Sequence, residues 1–116
     1  EHLRRCQAYH FAIAEYLTEA TGDVVERAEI TSGAFPGLTT LFAYMAHTVG
    51  EVPVEMVARY LTASESQVLG MIRECRVSYR HAPRDVAEGF RGLVTADEAR
   101  AIKQRADRML KGAKPL

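Results

Sequence analysis

Apolar residues recur along the chain at intervals of three and four, which places them on one face of an α-helix. In the N-terminal segment this stripe consists of Leu3, Cys6, His10, Ile13, Leu17 and Ala20. It predicts an amphipathic helix from His2 to Ala20, and Gly22 is expected to end it. No run of alternating apolar and polar residues is long enough to predict a strand, so the pattern indicates an all-α fold.

Capping patterns indicate where further helices begin. Three pairs have the form of a capping box, with a side-chain acceptor at the helix start and a glutamate or glutamine three residues later: Asp23 with Glu26, Ser64 with Gln67, and Thr95 with Glu98. They predict a short helix over residues 24–28 and two longer helices that begin at Ser64 and Thr95. The last of these carries a stripe of apolar residues and ends near Gly112.

Two more helices are predicted in the middle of the chain. One runs from Leu38 to Val49, where Gly50 follows it, and the other begins at Pro53, because proline is favoured in the first helical turn. The stretch "EITSGAFPG" before them is a loop by composition. Farther along, Pro83 predicts either the end of the helix that begins at Ser64 or the start of a short one.

Size and composition fit one multi-helix domain. The chain has 116 residues, of which 47% are hydrophobic. Residues 1–77 are predicted to form a helical domain with a helix-turn-helix at 53–77, and residues 78–116 a C-terminal helical extension packed on it. The 15 basic and 15 acidic residues balance. Because nucleic-acid-binding domains are usually basic, DNA binding would need a local patch.

Cysteine content and hydropathy favour a cytoplasmic location without a membrane segment. Cys6 and Cys75 lie at apolar positions of predicted helices, where free cysteine behaves as a small hydrophobic residue. The longest apolar stretch, "LTTLFAYMAHTVG", is too short and too polar to span a bilayer.

The sequence contains no recognisable catalytic constellation, so enzyme activity, a cofactor and a metal site are not expected. The histidines lack partners at metal-ligand spacing: His2, His10, His47 and His81. There is no glycine-rich phosphate loop and no nucleophile elbow. His10 lies on the apolar face of the first helix, where a packed histidine with satisfied ring nitrogens is favoured over a ligand.

The segments "VPVEMVARYL" and "SESQVLGMIRECR", joined by a tight turn, have the spacing of a helix-turn-helix. In such a pair the first helix crosses the DNA backbone, while the second offers its N-terminal turns to base edges in the major groove. The same geometry occurs in helical proteins that do not bind DNA. The pair alone therefore indicates a fold more strongly than a function.

The order of the helices resembles the C-terminal DNA-binding domain, domain IV, of the bacterial replication initiator DnaA. The segments that carry this resemblance are "FAIAEYL", "DVVERAE", "LTTLFAYMAHTVG" and "PVEMVARYLTASESQVLGMIREC". In the last of them, four residues match the family pattern: Glu55, Val68, Leu69 and Arg73. The resemblance covers about residues 8–77 and implies a Trp-repressor-like helical fold.

The departures from that family lie mainly in its base-reading positions. In the family the turn is Gly-Arg-Asp-His-Thr-Thr; here the same positions hold Thr62, Ala63, Ser64, Glu65, Ser66 and Gln67. Leu38 stands where the family has a minor-groove arginine, and the loop "ERAEITSGAF" lacks bases after Arg27. Since one bidentate base contact gives ~1–3 kcal/mol of discrimination, these changes predict altered or weakened sequence readout.

The candidate DNA-binding residues follow from this alignment. Four would enter the groove, Ser64, Glu65, Ser66 and Gln67, and three would clamp phosphates, Arg73, Arg76 and Arg80. With Arg84, the arginines have the spacing of a helical basic stripe. A solvated helix face paired with Glu74 and Asp85 is the alternative, and Gln67 is also expected as a capping residue.

Two hypotheses of function remain open. The first is a DNA-binding module that binds duplex DNA in replication initiation or its regulation; it expects Arg73, Arg76 and Arg80 on the face of Ser66 and Gln67. The second is a protein-interaction regulator that engages the initiator or its regulatory partners, through a surface that includes "HTVGEVPVEM" and the C-terminal helix. It expects an exposed apolar patch around residues such as Phe35, Leu38 and Phe90.

Overall fold

The computed structural model describes residues 1–78 and 93–112, and most of these residues are helical. The helices are α1 (His2–Thr21), α2 (Arg27–Thr31), α3 (Pro36–Tyr44), α4 (Val54–Leu61), α5 (Glu65–Glu74) and α6 (Ala96–Gly112). A π-helical turn, Met45–Val49, continues α3. Two short strands, β1 (Arg76–Ser78) and β2 (Leu93–Thr95), pair in parallel. The predicted all-α class is confirmed.

The first helix ends where the sequence predicts. Gly22 adopts the left-handed conformation, with φ 79°, and its N–H donates to the Thr18 carbonyl oxygen at 3.0 Å. Glycine accommodates this conformation because it has no Cβ. The helix then packs against α6 along its length and also contacts α2 and α4.

The prediction for α2 is wrong in register. The helix begins at Arg27, three residues later than expected, and its capping box consists of Glu26 and Glu29. The N–H of Val25 donates to the Thr18 hydroxyl at 2.9 Å, and the Val25 side chain is buried. These contacts hold the backbone around Val25 against the end of α1, so it cannot begin a helix there.

The other two predicted capping boxes are confirmed. The Ser64 N–H donates to Gln67 Oε1 at 2.8 Å, and the Gln67 N–H donates to Ser64 Oγ at 3.0 Å. The same reciprocal pair joins Thr95 and Glu98, at 2.9 and 3.0 Å. Each box satisfies backbone donors that a helix start leaves without an intrahelical partner.

The two short strands were not predicted. After Glu74 the backbone becomes extended at Cys75, with φ −73° and ψ 129°, and β1 pairs with β2 in the register Val77 to Val94. The helix that begins after Ser64 therefore ends well before Pro83. Three-residue strands are too short to produce a period-two signal. Pro83 and the apolar residues expected to follow it lie outside the described residues.

One core joins the helices. Its largest fully buried side chains come from every helix and from the segment before α4: Tyr9, Ile13, Leu17, Ile30, Leu38, Leu41, Phe42, Met45, Val52, Val57, Val68 and Ile102. Burying each such aliphatic side chain contributes ~1.5–3 kcal/mol. In the part of the chain that the structure describes, no helix has the length and apolar character to cross a membrane.

Gly50 permits a close approach between α1 and the end of the π-helical turn. A Cβ placed on Gly50 would lie 2.6 Å from Tyr9 Cε2 and 2.8 Å from the Ala46 carbonyl oxygen. The Gly50 N–H donates to the Met45 carbonyl oxygen at 2.8 Å, so the turn has little freedom to move away. Glycine is therefore required here by contact with the Tyr9 ring.

The Gly50→Ala substitution is expected to lower the free energy of unfolding by about 1–3 kcal/mol, because the methyl group overpacks this contact. Gly70→Ala is the matched control, since a Cβ at Gly70 would have no atom within 4 Å. In the control, replacing a mid-helix glycine should raise the free energy of unfolding by about 0.5–1 kcal/mol. Urea unfolding of the three proteins measures both effects, and equal stability of the two variants would contradict this account.

Candidate nucleic-acid interface

The turn between α4 and α5 is built around Thr62. This residue adopts the left-handed conformation, with φ 55° and ψ 49°. Its N–H donates to the Arg59 carbonyl oxygen at 3.2 Å, and the Ala63 N–H donates to that of Ala58 at 2.9 Å. A β-branched residue in this region is strained. The short turn therefore joins two helices at a conformational cost.

Helix α5 is displayed on the surface. Val68 is its one buried residue, and Met71 and Ile72 are half-buried against the core. With 100° between successive residues, Ser66, Gly70 and Arg73 lie on the side opposite Val68. The helix packs against α3 and α4, so its N-terminal turns and its outer side remain open to a partner.

The four residues predicted to enter a groove do not have equivalent roles. Ser64 and Gln67 form the capping box, so Gln67 Oε1 is already bonded to the Ser64 N–H. Glu65 and Ser66 are exposed in the first turn. Glu65 also lies where the helix dipole favours a negative charge. Glu65 and Ser66 are the two predicted groove residues that take no part in the capping box, and Ser66 is the uncharged one.

The predicted helical stripe of arginines is wrong. Arg73 is exposed on α5, on the same side as Ser66, but α5 ends at Glu74 and the backbone of Arg76 belongs to β1. Spacings of three and four align side chains only while the helix continues. Arg80 lies outside the described residues. Of the three predicted phosphate clamps, Arg73 lies on the same side of α5 as Ser66, about two turns along the helix.

The apolar patch expected by the interaction hypothesis does not form as predicted. Leu38 is fully buried on the inner side of α3, and Phe35 is half-buried and packed on the core. Phe90 lies outside the described residues. Leu38 therefore contributes to the core, and this position offers neither a groove contact nor an exposed docking residue.

The charges on α5 do not favour DNA. Glu65 and Glu74 are exposed together with Arg73, so the helix carries one positive and two negative side chains. On α4, Glu55 and Arg59 are both exposed and offset each other. Association with phosphate depends on concentrated positive charge. In the described ranges there is also no group of three His, Cys, Asp or Glu residues that could hold a metal ion.

The orientation of α4 depends on the buried His10 ring. Its Nε2 lies 2.6 Å from the Arg27 carbonyl oxygen, and its Nδ1 lies 2.7 Å from the Tyr60 hydroxyl. Because a carbonyl only accepts, Nε2 carries the proton, and Nδ1 accepts from Tyr60. The prediction of a packed histidine with satisfied nitrogens is confirmed. Its partner Tyr60, fifty residues away, could not be identified from local spacing.

Burial is the main reason that the pKa of His10 is lowered from 6.5. The Arg27 carbonyl acts in the opposite direction, and the positive charge of Arg27 lowers the pKa further. The neutral ring is therefore the form that the fold requires. A protonated ring could no longer accept the Tyr60 hydroxyl hydrogen at Nδ1.

We expect the free energy of unfolding to fall as the pH drops below about 6.5. In that range the unfolded chain binds a proton at His10 that the folded chain resists, so stability increases with pH. The contribution is complete above the unfolded pKa and is lost as the pH falls through the folded one. Urea unfolding at a pH above and a pH below this value measures it.

The matched variants for the pH experiment are His10→Gln and His2→Gln. The first removes the buried titrating ring, and the second removes an exposed one. His10→Gln should show a smaller pH dependence than the parent protein, whereas His2→Gln should follow the parent. A pH dependence that persists unchanged in His10→Gln would show that another group causes it.

Thr62→Gly should raise the free energy of unfolding by about 0.5–1 kcal/mol. Glycine removes the left-handed strain of ~1–2 kcal/mol, while its additional freedom in the unfolded chain offsets part of the gain. Thr62→Ala is the control, because alanine keeps the Cβ that causes the strain. If the glycine variant is no more stable than the alanine variant in urea, the turn is not strained.

No protein-family model, no curated protein and no solved structure matches this chain. Function must therefore be inferred from the side chains that α5 displays, from their charges and from the constraints that position the helix.

Proposed function

We propose that this chain is a DNA-binding module of the helix-turn-helix type, acting in replication initiation or its regulation. Its sequence readout is altered or weakened relative to the DnaA domain that its sequence resembles. The observation that carries the proposal is the display of α5, whose N-terminal turns are capped and exposed while Val68 is its one buried residue. Such a helix contributes little to the core, and its exposed N-terminal turns could enter the major groove of DNA.

The conformation of Thr62 supports the likeness to the initiator domain. In that family a glycine stands at the corresponding position, and Thr62 has a positive φ of 55°. Glycine is the residue that adopts this conformation without strain. A left-handed residue at the position where the family has glycine supports the alignment of this turn with that of the family.

Gly70 supports a partner that approaches α5 closely. It lies on the outer side of the helix, between Ser66 and Arg73, and a Cβ at this position would have no atom within 4 Å. A glycine inside a helix costs ~1 kcal/mol relative to alanine, and no contact among the described residues requires it. A flat strip at Gly70 would let a sugar-phosphate backbone or a base edge reach the helix.

The polar groups on α5 indicate what kind of binding to expect. Ser66 can donate to or accept from a base edge, and Glu65 can accept from a cytosine amino group. Each phosphate neutralised changes the slope of log affinity against log salt by ~0.9. With Arg73 as the exposed cation of α5, we expect weak affinity, shallow salt dependence and modest sequence preference.

The test is fluorescence anisotropy with a labelled duplex that carries the initiator's recognition sequence, beside a scrambled duplex, at two salt concentrations. Arg73→Ala should weaken binding to both duplexes and reduce the salt slope by about 1. Gly70→Ala should weaken binding even though it stabilises the fold. Arg108→Ala, an exposed arginine on α6, is the matched control and should behave as the parent protein does.

Two results would overturn the proposal. One is the absence of binding at micromolar protein in low salt. The other is binding that neither Arg73→Ala nor Gly70→Ala weakens relative to Arg108→Ala, because α5 would then not be the contact surface. Retained folding in all three variants, checked by circular dichroism, separates lost contacts from lost structure.

A protein-interaction regulator that engages the initiator or its regulatory partners is the second candidate, and Leu69 is the observation that favours it. This large apolar side chain is 42% exposed on α5, beside the acidic Glu65. In this case the anisotropy of the labelled duplex does not change as protein is added, and the labelled chain binds purified initiator. Leu69→Ser would then abolish that binding, whereas Arg73→Ala would change it little.

A further inference from the structure

Three large apolar side chains are exposed among the described residues, Leu3, Val24 and Leu69. Leu3 lies in the first turn of α1, and Val24 lies between α1 and α2. Leu69 lies within α5, the helix proposed to enter a groove, and it is 42% exposed there. The contacts assigned to this helix so far are hydrogen bonds and an ionic contact, and they give an exposed leucine no part in DNA binding.

Leu69 lies beside the polar residues that α5 offers to DNA. With about 100° between successive helical residues, Leu69 is rotated by about 40° from Arg73 and by about 60° from Ser66. It belongs to the second turn of the helix, one turn after Glu65. Because the N-terminal turns of a recognition helix contact base edges, Leu69 lies in the part of α5 that would reach the bases.

Gly70 allows a partner to come close to Leu69. It follows Leu69 directly, on the outer side of α5, and a Cβ at this position would have no atom within 4 Å. No side chain therefore holds a partner away from the helix at this point. A base edge that approaches the helix at Gly70 would come into van der Waals contact with the neighbouring leucine.

The chemistry of the major groove decides which base Leu69 can face. The base edges there present hydrogen-bond donors and acceptors, and thymine adds an apolar group, its C5 methyl. Leucine forms no hydrogen bond, so a donor or acceptor that it covers would lose its water without gaining a partner, at a cost in free energy. A thymine methyl that leucine covers instead gains free energy by leaving water.

We propose that Leu69 is a specificity-determining residue that selects thymine through contact with its C5 methyl group. This inference rests on the proposed DNA-binding function and adds to it a class of target site. The site is a duplex with a thymine methyl in the major groove, opposite the second turn of α5. Ser66 and Arg73 supply polar and ionic contacts on the same side of the helix, and Leu69 selects the A·T pair in the orientation that brings the methyl group to it.

The experiment begins with selection of bound duplexes from a labelled pool with a random core, using the full chain. Each selected duplex is then remade with deoxyuridine in place of one thymine at a time. Deoxyuridine lacks the C5 methyl group and keeps the hydrogen-bonding groups of thymine, so any change in affinity reports on the methyl group. The dissociation constants are measured by fluorescence anisotropy. Loss of one particular methyl group should weaken binding about fourfold, the effect of exposing one methylene-sized group.

Three variants assign the methyl contact to Leu69. Leu69→Ala should bind the thymine and deoxyuridine duplexes equally, and it should fold because alanine is a favourable residue on a helix surface. Leu69→Met keeps an apolar side chain of similar volume and should retain the dependence on the methyl group. Leu3→Ala is the matched control, since Leu3 is 52% exposed outside α5, and it should show the same dependence as the parent protein.

Leu69→Gln provides a readout that a purely structural role would not change. Glutamine pairs with adenine through N6 and N7 in the major groove. At the base pair identified by the deoxyuridine substitutions, this variant should therefore lose the preference for thymine and favour adenine. A glutamine variant that keeps the thymine preference of the parent protein would contradict the assignment.

The possible outcomes separate this inference from the function on which it rests. If the chain binds duplexes and Arg73→Ala weakens binding, but no deoxyuridine substitution changes the affinity, the inference is wrong and the proposed function stands. Retained methyl dependence in Leu69→Ala also overturns the inference, because another residue would then contact the methyl group. A chain that binds no duplex in low salt overturns the inference together with the proposed function.

Discussion

The buried His10 ring sets the arrangement of three helices through two hydrogen bonds. Its protonated nitrogen bonds the backbone of Arg27 at the start of α2, and its other nitrogen accepts from Tyr60 on α4. Phe42 on α3 lies against the Tyr60 ring, with 5.4 Å between the ring centroids. A neutral imidazole offers one donor and one acceptor. The bond from Nε2 to the Arg27 carbonyl therefore fixes the tautomer in which Nδ1 accepts from Tyr60. The direction of α4, and through the turn that of α5, follows from this pairing.

Burial of side chains contributes little to the stability of α5, which leaves most of the helix exposed. Val68 is its one buried side chain, so the helix depends on local interactions, chiefly the Ser64 capping box, which contributes ~1 kcal/mol, and on half-buried contacts with α3 and α4. Two features work against the fold here: the left-handed Thr62 and the mid-helix Gly70. A segment that keeps unfavourable residues where better ones fit is typical of a surface selected for contact rather than for stability. This is why the proposed function rests on α5.

The sequence predicts features that depend on neighbouring residues and misses features that depend on contacts between distant segments. Helix periodicity and the boxes at Ser64 and Thr95 are encoded within a few residues, and they are confirmed. The start of α2 was misplaced because a distant hydroxyl on α1 takes the N–H of Val25. The arginine stripe was misplaced because helical spacing continues in the sequence after α5 has ended. A small cleft between α1, the end of the π-helical turn and α6 brings together Arg5, Glu51 and Lys103 from three distant segments, and no spacing in the chain indicates it.

The cleft and the helix pair are connected through α1 and through the start of α4. Tyr9 and His10 are neighbours on α1, and the first faces the cleft while the second holds Tyr60 on α4. Glu51 lies two residues before Pro53, which caps α4. The contact of Tyr9 with Gly50 and the direction of α4 are therefore set by adjacent residues of one helix.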